Sequence, residues 1–116
     1  MPDPEAQRGR VARIWRGWTT PENADAYDAL LRETILPGIA GRGIEGYQGA
    51  HMLRRVDGDE IEFVTILWFD TVEAVRAFAG EEHRTAVVPA DARALLTQFE
   101  KRSRHYETRT APASQG

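Results

Sequence analysis

The chain contains no cysteine, which removes disulfides, thiolate nucleophiles and cysteine-rich metal sites together. No apolar run approaches the roughly 18–20 residues needed to cross a bilayer. The first ten residues, Met1 to Arg10, are Pro, Asp, Glu, Gln and Arg with no apolar stretch, so they do not read as a secretory signal. A cytoplasmic protein with no membrane partner is expected. Net charge is −3 and the basic residues are dispersed, which argues against nucleic acid as a partner. Lys101 is the only lysine, a bias to which no function attaches. The densest basic run, Lys101-Arg102-Ser103-Arg104, reads as a solvated or interface strand face. There is no G-x-S-x-G and no obvious Ser-His-Asp arrangement, which makes acyl-enzyme hydrolysis a poor fit. No H-x-H or H-E-x-x-H pairing exists, so a metal site would need distant residues to converge.

What the chain does have is strand-like segments that are apolar on both faces. In Ile61 to Phe69, alternation puts Ile61, Phe63, Thr65, Leu67 and Phe69 on one side. Glu62, Val64, Ile66 and Trp68 occupy the other. A sheet of this kind must be covered twice, and 116 residues supply one layer of helices but hardly two. The second cover is expected from another copy of the same chain.

The elements follow in a legible order. Val11 to Trp18 is β-rich. Thr20 has the chemistry of a helix cap, with Pro21 at the first helical position. Ala24, Tyr27, Leu31 and Ile35 then recur as one apolar stripe, which Pro37-Gly38 should end. A glycine-rich connection leads to a second strand near Gly46 to Arg55, and Asp57-Gly58 signals a hairpin into the third strand. Asp70 or Thr71 should cap a second helix carrying Ala74, Val75, Phe78 and Ala79 inward, with Gly80 as its stop. Asp91 is expected to cap a short helix, and a final strand runs from about Gln98 to Glu107. This is the β-α-β-β-α-β order of a ferredoxin-like α+β domain, spanning 11–109 between tails, 1–10 and 110–116, that read as disordered.

Gly41-Arg42-Gly43-Ile44-Glu45-Gly46 matches G-x-G-x-x-G literally. A dinucleotide site needs those glycines after a strand and opening a helix; here they follow a helix and lead into a strand, so they read as a connector. The first strand is more suggestive. Val11, Arg13, Trp15 and Gly17 share one face, and an arginine beside a tryptophan can hold a planar or anionic ligand by stacking and charge. Equally, Trp15 can fill core while Arg13 pairs with a carboxylate. Alternation leaves open which face lies under the helices. The ferredoxin-like sheet sets the last strand beside the first, bringing His105 towards Arg13, where it can serve as a base or as a structural histidine. His83, after the second helix, is the one to watch for haem.

These residues resemble the antibiotic biosynthesis monooxygenase-like family of dimeric α/β-barrel proteins. The resemblance rests on Arg13-Ile-Trp15-Arg-Gly17, Gly46-Tyr-Gln-Gly-Ala50 with Leu53-Arg-Arg55, Glu62-Phe63, Leu67-Trp68-Phe69-Asp70-Thr71, Ala77-Phe78-Ala79-Gly80, Ala86-Val87-Val88-Pro89 and His105-Tyr106-Glu107. It implies a homodimer whose sheets pack face to face. It also implies oxidation of an aromatic polyphenol or quinol by molecular oxygen, without cofactor or metal. His105 would be the base and Arg13 the oxyanion partner, with Trp15, Trp68, His51 and Phe78 around the substrate ring. The alternative is a non-catalytic small-molecule binder of the same fold, haem included. Related barrels that degrade haem use an asparagine on the first strand with a tryptophan and a histidine near the second helix. Here Trp15, Ala77 and Val87 stand near those places, which disfavours haem degradation and leaves haem binding through His83 open.

Overall fold

The computed structural model describes residues 10–112. Of the tails expected to be disordered, 1–9 and 113–116 lie outside that range. Ten elements follow in order: β1 Val11–Thr19, α1 Pro21–Leu30, a π-helical turn Leu31–Ile35, α2 Leu36–Gly41, β2 Tyr47–Asp57, β3 Glu60–Phe69, α3 Val72–Ala79, α4 Ala90–Leu95, β4 Leu96–Phe99 and β5 Arg104–Glu107. The strands form one antiparallel sheet in the order β2-β3-β1-β4, with β5 continuing along the same edge of β1. The fold is α+β and ferredoxin-like. No helix among the described residues is long and apolar enough to cross a membrane.

Local chemistry sets most boundaries. The Thr20 hydroxyl accepts from the Asn23 amide at 3.1 Å and opens α1, and Thr71 does the same for Ala74 at the start of α3. Asp57 pairs with Glu60 across a two-residue turn in which Gly58 takes φ +60°. Gly80 ends α3 at φ +88°. Gly46, the last glycine of the G-x-G-x-x-G string, has φ +89°, and a Cβ there would stand 3.0 Å from the Ala74 Cβ. That string closes α2 and leads into β2, as its connector reading requires.

Three boundaries differ from expectation. Pro37 does not end the first helix. A π turn precedes it, in which the Leu36 amide bonds back to the Leu31 carbonyl, and Pro37 sits in the first turn of α2, where a missing N–H costs nothing. The last strand breaks in two. Between β4 and β5 the chain leaves β1 and bonds to the 84–86 stretch through Ala86 N–H to Lys101 O (2.9 Å) and Ser103 N–H to Arg84 O (2.7 Å). Glu100 drives the departure: one carboxylate oxygen accepts from the Arg16 amide and the other from its guanidinium, at 3.0 and 3.1 Å. Asp91 also lies inside α4, which starts after Pro89.

The helices cover one sheet face. Phe63, Phe69 and Val75 are fully buried there, with Tyr27 and Leu31 of the long helix. Tyr27 meets Phe63 edge-on at 4.8 Å between ring centroids. The opposite face has no helix on it, and Ile14, Val64, Ile66 and Trp68 are only half-buried. Phe63→Ala removes the ring on which Tyr27 rests and leaves a void that both layers share. It should cost about 3–5 kcal/mol, read as a lower urea midpoint with an unchanged slope.

Candidate functional site

A cavity of about 60 Å³ lies between the sheet and the helices. Its floor is β1 and β3, through Arg13, Trp15, Thr65 and Leu67; the long helix, Phe78 and the Val87–Pro89 stretch wall it in. The first-strand face left open by alternation is therefore the covered one. Gly17 is part of the reason Trp15 can lie there. A Cβ at Gly17 would stand 2.9 Å from the edge of the Trp15 ring, so the indole lies across the bare strand. Its N–H donates to the Glu100 carbonyl at 2.6 Å.

Arg13 is 3% exposed, and no carboxylate pairs with it among the described residues. Its guanidinium donates from Nη1 to the His83 carbonyl and from Nη2 to the Thr85 carbonyl at 3.0 Å. The other Nη1 hydrogen meets His105 Nε2 at 2.9 Å. These bonds leave the Nε–H and one Nη2 hydrogen without a partner among the described residues. The guanidinium carbon also lies 5.4 Å over the Phe78 ring, which Arg42 approaches at 5.2 Å. Burial lowers the Arg13 pKa to about 10, so the charge persists at neutral pH. The reading in which Arg13 pairs with a carboxylate is corrected: neutral acceptors hold it.

β5 pairs with β1 in a register that sets His105 directly opposite Arg13. Because a guanidinium only donates, His105 Nε2 must accept and the proton belongs on Nδ1. Burial, then the charges of Arg13, His83 and Arg84, lower the His105 pKa to about 4. The ring is a neutral acceptor at pH 7 whose lone pair is already engaged.

Phe78, Arg13 and Trp15 thus converge on one cavity, with His105 behind Arg13. Trp68 and His51 do not. They bond to each other across the uncovered face, Trp68 Nε1 to His51 Nδ1 at 2.9 Å. Strand alternation is the reason: in β3, Leu67 and Phe69 point to the helices and Trp68 points away. His83 also stands outside the cavity, its ring 5.3 Å from that of His105. Sequence reasoning missed three hydroxyls in the cavity wall, Tyr27, Thr65 and Ser103. Tyr27 was hidden by its place in an apolar stripe, and Ser103 by its basic neighbours. The Tyr27 hydroxyl has no hydrogen-bond partner among the described residues, and burial raises its pKa.

No known family model matches the sequence, and no curated protein matches it. Solved structures do. A Streptomyces coelicolor monooxygenase, ActVA-Orf6, solved with nanaomycin D, aligns at a TM-score of 0.62 and 17% identity over 94% of this chain and 95% of its own. A putative antibiotic biosynthesis monooxygenase from Bacillus cereus gives 0.62 and 12% over 91% and 97%. The Mycobacterium tuberculosis haem degrader MhuD, with two haems in its active site, gives 0.52 and 22% over 89% and 99%. The chain has the fold of antibiotic biosynthesis monooxygenase-type proteins; at these identities the likeness speaks for the fold.

The depressed His105 pKa has a consequence for stability. The unfolded chain takes up the proton near the ordinary value of 6.5, the folded chain only near 4. Stability from this group is therefore complete above about pH 6.5 and is lost as pH falls towards about 4. His105→Gln should flatten that limb of a denaturation-versus-pH curve, and the difference should show above about pH 5, before carboxylates titrate.

Proposed function

We propose that the cavity takes an aromatic, weakly acidic small molecule of the polyphenol or quinol type, which the protein oxidises with molecular oxygen. One observation carries this: a buried guanidinium, held only by neutral acceptors, keeps two donors free in the wall of a mostly apolar cavity. An uncompensated buried cation is costly, and a phenolate or enolate oxygen against Arg13 relieves that cost. Trp15 and Phe78 supply ring contacts.

The chemistry needs little from the protein. A deprotonated polyphenol or anthrone-type carbon is itself the electron donor to oxygen. In the anthrone case a CH2 and O2 give C=O and H2O: the carbon loses two hydrogens and gains one oxygen, and the other oxygen leaves with both hydrogens. The pocket holds the oxyanion, excludes water and accepts the first proton. His105 stands outside the cavity with Nε2 engaged by Arg13. It is the proposed acceptor only once the ligand oxygen has drawn the Arg13 Nη1 hydrogen to itself and freed that lone pair. Its basicity is suppressed partly by Arg13, and an anion on Arg13 offsets that charge, so binding and deprotonation reinforce each other. The uncovered sheet face, with Ile14, Val64, Ile66 and Trp68 half-buried, is the proposed homodimer contact. Trp68 and His51 belong to that contact rather than to the ring site.

A second reading is favoured by the His105 pKa of about 4, which is far below the best value for a base at neutral pH. It is a binder of the same ligand class that performs no oxidation. Haem is not favoured as its ligand, because His83, the candidate axial ligand, does not line the cavity.

Oxygen uptake by metal-free protein with anthrones, quinols and flavonoid-like polyphenols separates the two readings. For the oxygenase, uptake exceeds the spontaneous rate, and Arg13→Met and His105→Ala each lower it by about a hundredfold or more. For the binder, ligand raises the melting temperature with no uptake. Arg13→Met should lower the ligand-free melting temperature, because it strands the His83 and Thr85 carbonyls and His105 Nε2 without a donor, and should abolish the ligand-induced rise. Neither uptake nor ligand-induced stabilisation across the panel would remove the proposal.

A further inference from the structure

Behind Arg13, on the side away from the cavity, lies a cleft of about 770 Å³. Three segments build it: α3 through Val72, Val75 and Arg76, the stretch holding His83 and Arg84, and the run Arg102 to His105. Arginine and histidine are its only titratable side chains, and no carboxylate lines it. Arg104 is committed to Glu100 at 2.9 Å. The guanidinium groups of Arg76, Arg84 and Arg102 have no ion pair among the described residues. The chain as a whole carries three more acidic than basic groups, so a concave surface with unpaired arginines on three segments is not a reflection of composition. Like charges gathered in one concavity repel, and they focus a positive field there.

We propose that this cleft is a binding site for a small polyanion, a ligand presenting two or more phosphate or carboxylate charges. One negative charge would not neutralise three guanidinium groups, which sets the class at dianion or above. The arginine forks suit two-point recognition of such oxyanions, and the ring nitrogens of His83 and His105 add shorter-range donors. The basic run read from sequence as a solvated face is split by the structure. Arg102 and Arg104 line the cleft, whereas Lys101 does not. The cleft shares His105 with the proposed oxidation chemistry, and its binding is tested without that reaction.

Inorganic pyrophosphate and citrate are the probes, one for phosphate and one for carboxylate, titrated calorimetrically into the full chain at low salt. Saturable one-to-one binding that weakens as salt is raised is expected for at least one of them. Arg84→Gln and Arg102→Gln should each weaken it roughly ten- to a hundredfold, the loss of one charge-assisted contact. Lys101→Gln, one residue outside the cleft in the same run, should leave it within about twofold. Imidazole resonances of His83 and His105 should shift on titration, and that of His51 should not. All these residues except His105 are peripheral to the core, and matching melting temperatures would exclude misfolding. Absence of saturable binding of either probe would overturn the site. So would equal weakening by Lys101→Gln, which would mean diffuse surface charge.

Discussion

A guanidinium out of water has to be satisfied by whatever dipoles the fold brings to it, and much of this structure is arranged around Arg13. Two carbonyls, those of His83 and Thr85, and one imidazole, that of His105, converge on it from segments some seventy to ninety residues away. None of these acceptors carries charge. Water-exposed pairs contribute little wherever they form, but a buried cation with only neutral partners remains an electrostatic demand on its surroundings. The cavity on one side leaves that demand open, the unpaired arginines of the cleft on the other add to it, and Ser103 lines both. Arg13 lines the cavity, and its partners His83 and His105 line the cleft.

The carbonyls reach Arg13 only because the final strand does not run through. Had the chain paired with β1 from Leu96 to Glu107 without a break, the 84–86 stretch would have no strand to join. Glu100 prevents this by accepting from both the amide and one guanidinium nitrogen of Arg16, so the residues after it turn away and pair with Thr85 through an isolated bridge at Arg102. The same break exposes the Glu100 carbonyl to the Trp15 indole. One acidic side chain thereby fixes the ring that floors the cavity and the loop that holds the cation.

Such a break is hard to see in sequence, because Gln98 to Glu107 alternates adequately for one strand and the partner that diverts it lies more than eighty residues earlier. The features that were legible are those decided locally: the Thr20 and Thr71 caps, the Asp57-Gly58 hairpin, the Gly80 stop and the two-sided apolar pattern of β3. Alternation also placed Arg13 and Trp15 on one face, and the ferredoxin-like strand order brought His105 to the neighbouring strand. Alternation did not say which face the helices cover; the family resemblance placed Trp68 beside the ring, although parity within β3 puts Trp68 opposite to Leu67. Pro37 misled for a different reason. A proline stops a helix whose hydrogen bonds keep strict register, and the π turn before it changes that register.

The cavity also constrains how any ligand enters. At about 60 Å³ it has room for a few waters, well short of the several hundred cubic ångströms of an ordinary ligand pocket. A ring can therefore enter only if part of the wall moves. The sheet side is pinned by continuous strand pairing along β1 and β3, and the Tyr27 and Leu31 side is fully buried core. Ala86 to Pro89 is the weakest part of the wall. It has no regular secondary structure, is tied back through the Ala86 amide to Lys101, and hands on to α4 through the Pro89 carbonyl. Displacing Val87 and Val88 sacrifices modest apolar contact, whereas displacing Tyr27 would uncover Phe63. Because Thr85, at the root of the same stretch, is one of the two carbonyl partners of Arg13, opening the wall loosens the guanidinium as it admits the ligand. Under the proposed function Arg13 would then exchange a backbone dipole for an anion, an exchange that favours ligands with an acidic oxygen over equally sized neutral rings.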